Sequence, residues 1–172
     1  TAETTFTITV TESNSAPVLA PITAQSVNEG TLLTVTAAAP DADLPADTLT
    51  YSLAAAPAGA ALNPATGIFT WTPSESDGPG TFPVTLRVTD SGSATAEASF
   101  TITVTESNSA PVLAPITAQS VNEGTLLTVT AAATDADLPA QSLTYSLVTA
   151  PAGAALAPTT GVFTWTPSES DG

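Results

Sequence analysis

The chain repeats itself every 94 residues, and that period constrains its fold more than any other feature. The segment Thr-Trp-Thr-Pro-Ser-Glu-Ser-Asp-Gly around Trp71 returns unchanged around Trp165. Between 12–78 and 106–172 only eight positions differ, among them Pro40/Thr134, Asp47/Gln141, Asn63/Ala157 and Ile68/Val162. A unit of this length can bury one sandwich core. Residues 1–11 match 95–105 except at Thr4/Ala98 and Thr5/Ser99. The expected organisation is therefore the last strand of a preceding repeat (1–11), a complete repeat (12–105), and a second repeat (106–172) truncated before its last two strands. We expect such a sequence to be a window on a longer repetitive chain.

Within a unit the pattern is all-β. Short apolar/polar alternations are broken by Pro, Gly, Asp and Asn, and the abundant Thr and Val suit a pleated surface. The alternation predicts strands at 24–27, 32–38, 49–53, 60–62, 68–72, 81–90 and 96–105. Leu33, Val35 and Ala37 should point inward, as should Phe69 and Trp71. The same holds for Phe82, Val84, Leu86 and Val88, and for Phe100, Ile102 and Val104. Seven strands with one apolar face each make a Greek-key sandwich of the immunoglobulin or cadherin kind. The linkers at 13–19 and 107–113 are short and contain Pro, so successive sandwiches are expected to stack end to end.

The charge is one-sided. The net charge is −15, Arg87 is the lone cation, and there is no His, Cys or Met. Nucleic acid and anionic membranes are poor partners for such a surface. No run of about 20 apolar residues is present to insert in a bilayer. The lack of cysteine fits a secreted bacterial protein that does without disulfides.

The acids are not scattered, since most of the 16 fall at strand ends, in linkers or in loops between strands. One pole of the complete repeat should carry Asp41, Asp43 and Asp90 beside the incoming linker with Asn14. The other should carry Glu29, Glu75 and Asp77. Stacking would set Glu29, Glu75, Asp77 and Asn108 against Asp135 and Asp137 of the next repeat, with Glu123 repeating Glu29. Carboxylates about 5 Å apart repel by roughly 1 kcal/mol in a water-like medium and roughly 3 kcal/mol at an effective dielectric near 20. No lysine offsets this, whereas a hard divalent cation with six to eight oxygen ligands would, and calcium suits such a site better than magnesium. The plainer alternative is that these acids are solvated turn formers that maintain solubility.

At these residues the sequence resembles the cadherin-like and immunoglobulin-like tandem repeats of large bacterial surface proteins. Val27-Asn28-Glu29 resembles the family's acid near the first strand, and Asp41-Ala42-Asp43 its Asp-x-Asp loop. Glu75-Ser76-Asp77 is similar to its Asp-x-Glu pair with the acids exchanged, and Val88-Thr89-Asp90 resembles its late Asp. Ser107-Asn108-Ser109-Ala110-Pro111 resembles its linker, with Ser109 where the family often has Asp. The resemblance covers each whole repeat. It implies an extracellular, cell-surface location and a role in adhesion, in biofilm or surface-layer scaffolds, or beside carbohydrate-active enzymes.

Catalysis is not expected, because no His, Cys or Lys is available as base or nucleophile and the Ser and Thr hydroxyls have no visible activating base. A carbohydrate-binding module needs exposed aromatics, but Trp71 and Trp165 each share a strand face with a Phe, which reads as core. The remaining rival to a surface stalk or scaffold, whose partners are its neighbouring repeats, is an extracellular filament. Such a filament would form by homophilic self-association, including strand donation between chains.

Overall fold

A computed structural model describes residues 1–171, and it is all-β apart from one short 3-10 turn at Glu75–Asp77. Two compact units divide the chain, the first spanning Thr1–Glu106 and the second beginning at Ser107. No helix among the described residues is long and apolar enough to cross a membrane.

The first unit is a two-sheet sandwich. Its larger sheet has the order β1 (Gln25–Asn28), β7 (Thr95–Thr105), β6 (Gly80–Thr89), β3 (Thr50–Ala55). Its smaller sheet has the order β2 (Leu33–Thr36), β5 (Ile68–Trp71), β4 (Ala61–Leu62). All seven strands lie where the apolar alternation places them. The period-two rule sends Val84, Leu86 and Val88 of β6 and Ile102 and Val104 of β7 into the core, at 0–1% exposure. Each such side chain contributes about 1.5–3 kcal/mol by leaving water. Phe69 of β5 meets Phe100 of β7 edge-on, with ring centroids 5.9 Å apart, and this contact joins the two sheets.

Two local features follow from pairing geometry. Pro83 stands in β6, a strand with neighbours on both sides, although proline removes a ladder donor. The β3 register reaches only Thr85, so at Pro83 the strand faces β7 alone and no β3 bond is lost. At the other side of the sheet, β1 runs parallel to β7, and Asn28 is paired with Thr105. That pairing brings the end of the last strand beside the loop after the first.

The second unit repeats the smaller sheet. Here β9 (Leu127–Thr130), β12 (Val162–Trp165) and β11 (Ala155–Leu156) pair in the same register, Leu127 with Trp165 as Leu33 with Trp71. A two-stranded ladder joins β8 (Val112–Leu113) to β10 (Ala133–Thr134). The inward residues of this sheet are only half-buried, because the positions that β6 and β7 cover in the first unit lie open here.

Candidate metal centre

β6 carries the first unit's backbone from one acidic pole to the other, a span of about 30 Å at the usual rise per residue. At its far end Asp90 closes the turn into β7: its Oδ1 accepts the Ala94 N–H at 2.8 Å, and its Oδ2 accepts the Asn14 amide at 3.0 Å. The next linker residue, Ser15, donates its N–H to both carboxylate oxygens of Asp43, at 3.1 and 2.9 Å. Asp43 in turn donates its N–H to Asp41 Oδ1 at 3.0 Å, the side-chain-to-backbone turn typical of Asp-x-Asp loops. The incoming linker is thus fastened by acids that are themselves buried, Asp43 at 8% and Asp90 at 6% exposure.

Asp47 completes this pole. One carboxylate oxygen each from Asp41, Asp43 and Asp47 lie within 4.8 Å of one another. Asp47 also accepts a hydrogen bond from the Ser91 hydroxyl. The second oxygens of Asp41 and Asp47 are buried without a hydrogen-bond partner. Desolvation, followed by the nearby carboxylates of Asp43, Asp47 and Asp41, holds the Glu12 carboxyl above its ordinary range. At 4.8 Å and an effective dielectric near 20, each pair of charges costs about 3 kcal/mol. The donor set is entirely oxygen and entirely anionic, with two inward oxygens lacking a donor, which is the chemistry of a hard divalent cation such as calcium.

The opposite pole gathers Glu29, Glu75 and Glu106, again with one oxygen each within 4.8 Å. The parallel β1–β7 pairing explains it, since the Glu29 N–H donates to the Thr105 carbonyl at 3.1 Å, which brings Glu106 alongside. Gly78 gives the Glu29 carboxylate its room, because a Cβ at that position would stand 2.1 Å from Glu29 Oε2 and displace it. Asp77 has a different task. Its Oδ2 accepts the Ser74 N–H at 2.8 Å and the Ser74 hydroxyl at 2.6 Å, so it caps the 3-10 turn.

The second unit repeats the linker and Asp-x-Asp part of the first of these poles, with an exchange at the position of Asp47. Ser109 N–H donates to Asp137 at 3.0 and 3.1 Å, and Asp137 N–H donates to Asp135 at 3.1 Å. Where the first unit has Asp47 this unit has Gln141, whose Nε2 donates to Asp137 Oδ2 at 3.0 Å and to Asn108 Oδ1 at 2.9 Å. A neutral amide donor thus stands where the first unit has a third carboxylate. Glu123 and Asp171 line one polar cleft beside Trp165. Asp171 repeats the capping role of Asp77, and its bonds from Ser168 hold its carboxyl below the ordinary range.

A family model described as "Putative Ig domain" matches residues 16–105 and 110–172. The chain belongs to that family. Solved structures similar to these Ig domains include human CDH23 EC21-23, at 26% identity and TM-score 0.54, covering 86% of this chain and 53% of that one. Mouse Cadherin-23 EC22-24 is similar at 25% identity and TM-score 0.54, covering 91% and 55%. Protocadherin Gamma B2 extracellular cadherin domains 3-6 share the fold at 20% identity and TM-score 0.51, covering 89% and 44%. The chain therefore spans about half of these structures, or less. No curated protein matches it.

In the first Ig domain the structure unites Asn14 with Asp90, and Asp43 with Asp41, as parts of one pole, and Glu29 with Glu75 at the other. Glu106 and Asp47 are additions that sequence spacing did not single out. The signal for Glu106 was its place directly after the last strand, and that for Asp47 was its exchange for Gln141, one of the eight differences between the two copies. Trp71 is core, 2% exposed, packed edge-on against Phe82 at 4.9 Å and donating from Nε1 to the Ala58 carbonyl at 3.1 Å. It offers no face to a sugar ring.

Proposed function

We propose that this pair of Ig domains is a non-catalytic spacer or scaffold segment of an extracellular, adhesion-type bacterial surface protein, and that calcium binds at the acidic poles of its repeats. The observation that carries the calcium reading is the Asp41–Asp43–Asp47 cluster, which converges without a cation side chain and holds the incoming linker through Ser15. The nearest possible counter-charge, Arg87, is committed to Glu97 on the sheet surface at 2.6 Å. Cadherin structures at 25–26% identity support the same general reading of an extracellular repeat. A cation at this pole would hold the linker residues Asn14 and Ser15 against the body of the domain they enter. A loose tether would thereby become a fixed one. The segment's work is then mechanical, to project or to connect, and its partners are neighbouring repeats.

Calorimetric titration of the 172-residue chain with calcium tests this. We expect saturable binding with a dissociation constant of about 10⁻⁴–10⁻³ M, the range of extracellular modules. Magnesium should bind more weakly, and Asp41→Asn with Asp43→Asn should remove the share of the calcium signal that belongs to this pole. Absence of heat at millimolar calcium would leave the acids as solvated loop residues and remove calcium from the reading.

A further inference from the structure

The residue at 47 in the first unit and at 141 in the second stands where the linker enters its domain, and it is one of the eight differences between the two copies. Both copies seat the linker backbone alike, with Ser15 N–H on Asp43 and Ser109 N–H on Asp137. Beyond that shared bond they part. In the first unit Asp47 meets Asp41 and Asp43 oxygen against oxygen, within 4.8 Å, and its own second oxygen is buried with no hydrogen-bond donor. In the second unit Gln141 Nε2 donates to Asp137 Oδ2 at 3.0 Å and to the linker's Asn108 Oδ1 at 2.9 Å. A carboxylate only accepts, whereas the amide nitrogen has two protons to give. Gln141 thus ties loop to linker with its own protons, and Asp47 can join the same groups only through a cation held between them.

This grip does not compete with the other hold on the linker. Asn14 meets Asp90 through its Nδ2 at 3.0 Å, whereas Gln141 takes Asn108 by the carbonyl oxygen. The two bonds use opposite ends of one amide, so a single repeat can carry both. We propose that Gln141 does for the linker at 107–109 what a cation does for the linker at 13–15, so that this one position decides which linkers answer to calcium. The calcium half rests on the function proposed above, and the Gln141 grip stands without it. A chain that mixes the two residues carries linkers fastened at all times beside linkers fastened only where calcium is present.

Amide hydrogen exchange at Ser15 and Ser109, read by NMR on the 172-residue chain in chelator and in saturating calcium, tests this. Calcium should slow Ser15 about tenfold and leave Ser109 unchanged. Gln141→Met, which keeps the length and loses the amide, should speed Ser109 about tenfold in chelator and leave Ser15 as it was. Asp47→Gln should slow Ser15 about tenfold in chelator and remove its response to calcium. Because that variant lies in the other unit, a general loosening of the second unit by Gln141→Met leaves its outcome unaffected. Indifference of Ser15 to calcium in the parent would refute calcium at Asp47 and the proposal with it. Where Ser15 does respond, the proposal alone falls if calcium slows Ser109 equally, or if Asp47→Gln leaves Ser15 exchange in chelator unchanged.

Discussion

Replacing Asp47 by the residue that its own repeat already uses, Asp47→Gln, should invert the order of stability between chelator and calcium. Asp47 repels Asp41 and Asp43 across separations of at most 4.8 Å, about 3 kcal/mol for each pair at an effective dielectric near 20. Asp41 and Asp47 are only half-buried, so solvent screening lowers the recoverable part to about 1–2 kcal/mol. The new amide can add a bond of the kind that Gln141 makes to Asp137 at 3.0 Å, in which a donor meets a charged acceptor. In chelator the variant should therefore unfold at a Tm higher by about 4–8 °C per kcal/mol gained. Calcium at ten to a hundred times its dissociation constant should stabilise the parent by about 1.4–2.7 kcal/mol and the variant by much less. Thermal unfolding followed by the fluorescence of Trp71, in a Trp165→Phe background so that the first domain alone reports, measures both effects. Equal or lower stability of the variant in chelator would refute the repulsion argument. Equal calcium stabilisation of both proteins would refute the placement of the ion at Asp47.

Two further outcomes are expected. Gly78→Ala should destabilise the first domain by about 1–3 kcal/mol in urea unfolding, because the added Cβ would meet Glu29 Oε2 at 2.1 Å and force that buried carboxylate to move. Glu12, held above its ordinary range by desolvation and by Asp43, Asp47 and Asp41, is a raised carboxyl. Its ionised form therefore opposes folding at neutral pH, and this opposition fades as pH falls through the raised value. NMR titration should place its midpoint above that of an isolated Glu, and calcium should pull the midpoint down.

Most of the sandwich was legible because alternation is a local signal. Val84, Leu86 and Val88 name the inner face of β6 without reference to anything distant, and the Pro64–Gly67 turn announces where β4 gives way to β5. The acid clusters were legible only in part. Asp41 and Asp43 lie in one loop, so their meeting is written in two positions with one residue between them. Glu106 reaches Glu29 through parallel pairing of strands that lie more than 60 residues apart, a register that no single segment encodes. Asp77 could have been assigned to Ser74 from the sequence alone, since a Ser followed three residues later by an acid is the pattern of a capping box. The role of Asp47 needed geometry, since its exchange for Gln141 acquires meaning only once the amide is seen bonded to Asp137.

The Arg87–Glu97 pair on the outer face of the larger sheet has a consequence for the lifetime of such a chain outside a cell. Arg87 is the one position in 172 residues that a trypsin-like protease could cut. It lies within the ten-residue strand β6, in register with Ser52 of β3 and Glu97 of β7, and its side chain donates to Glu97. A protease must draw several residues of extended chain free of their partners, and β6 yields them only when the sandwich opens. Digestion at Arg87 by this enzyme class is thus set by the opening equilibrium of a single domain, and residues 106–172, which contain no Lys or Arg, present no scissile bond to it.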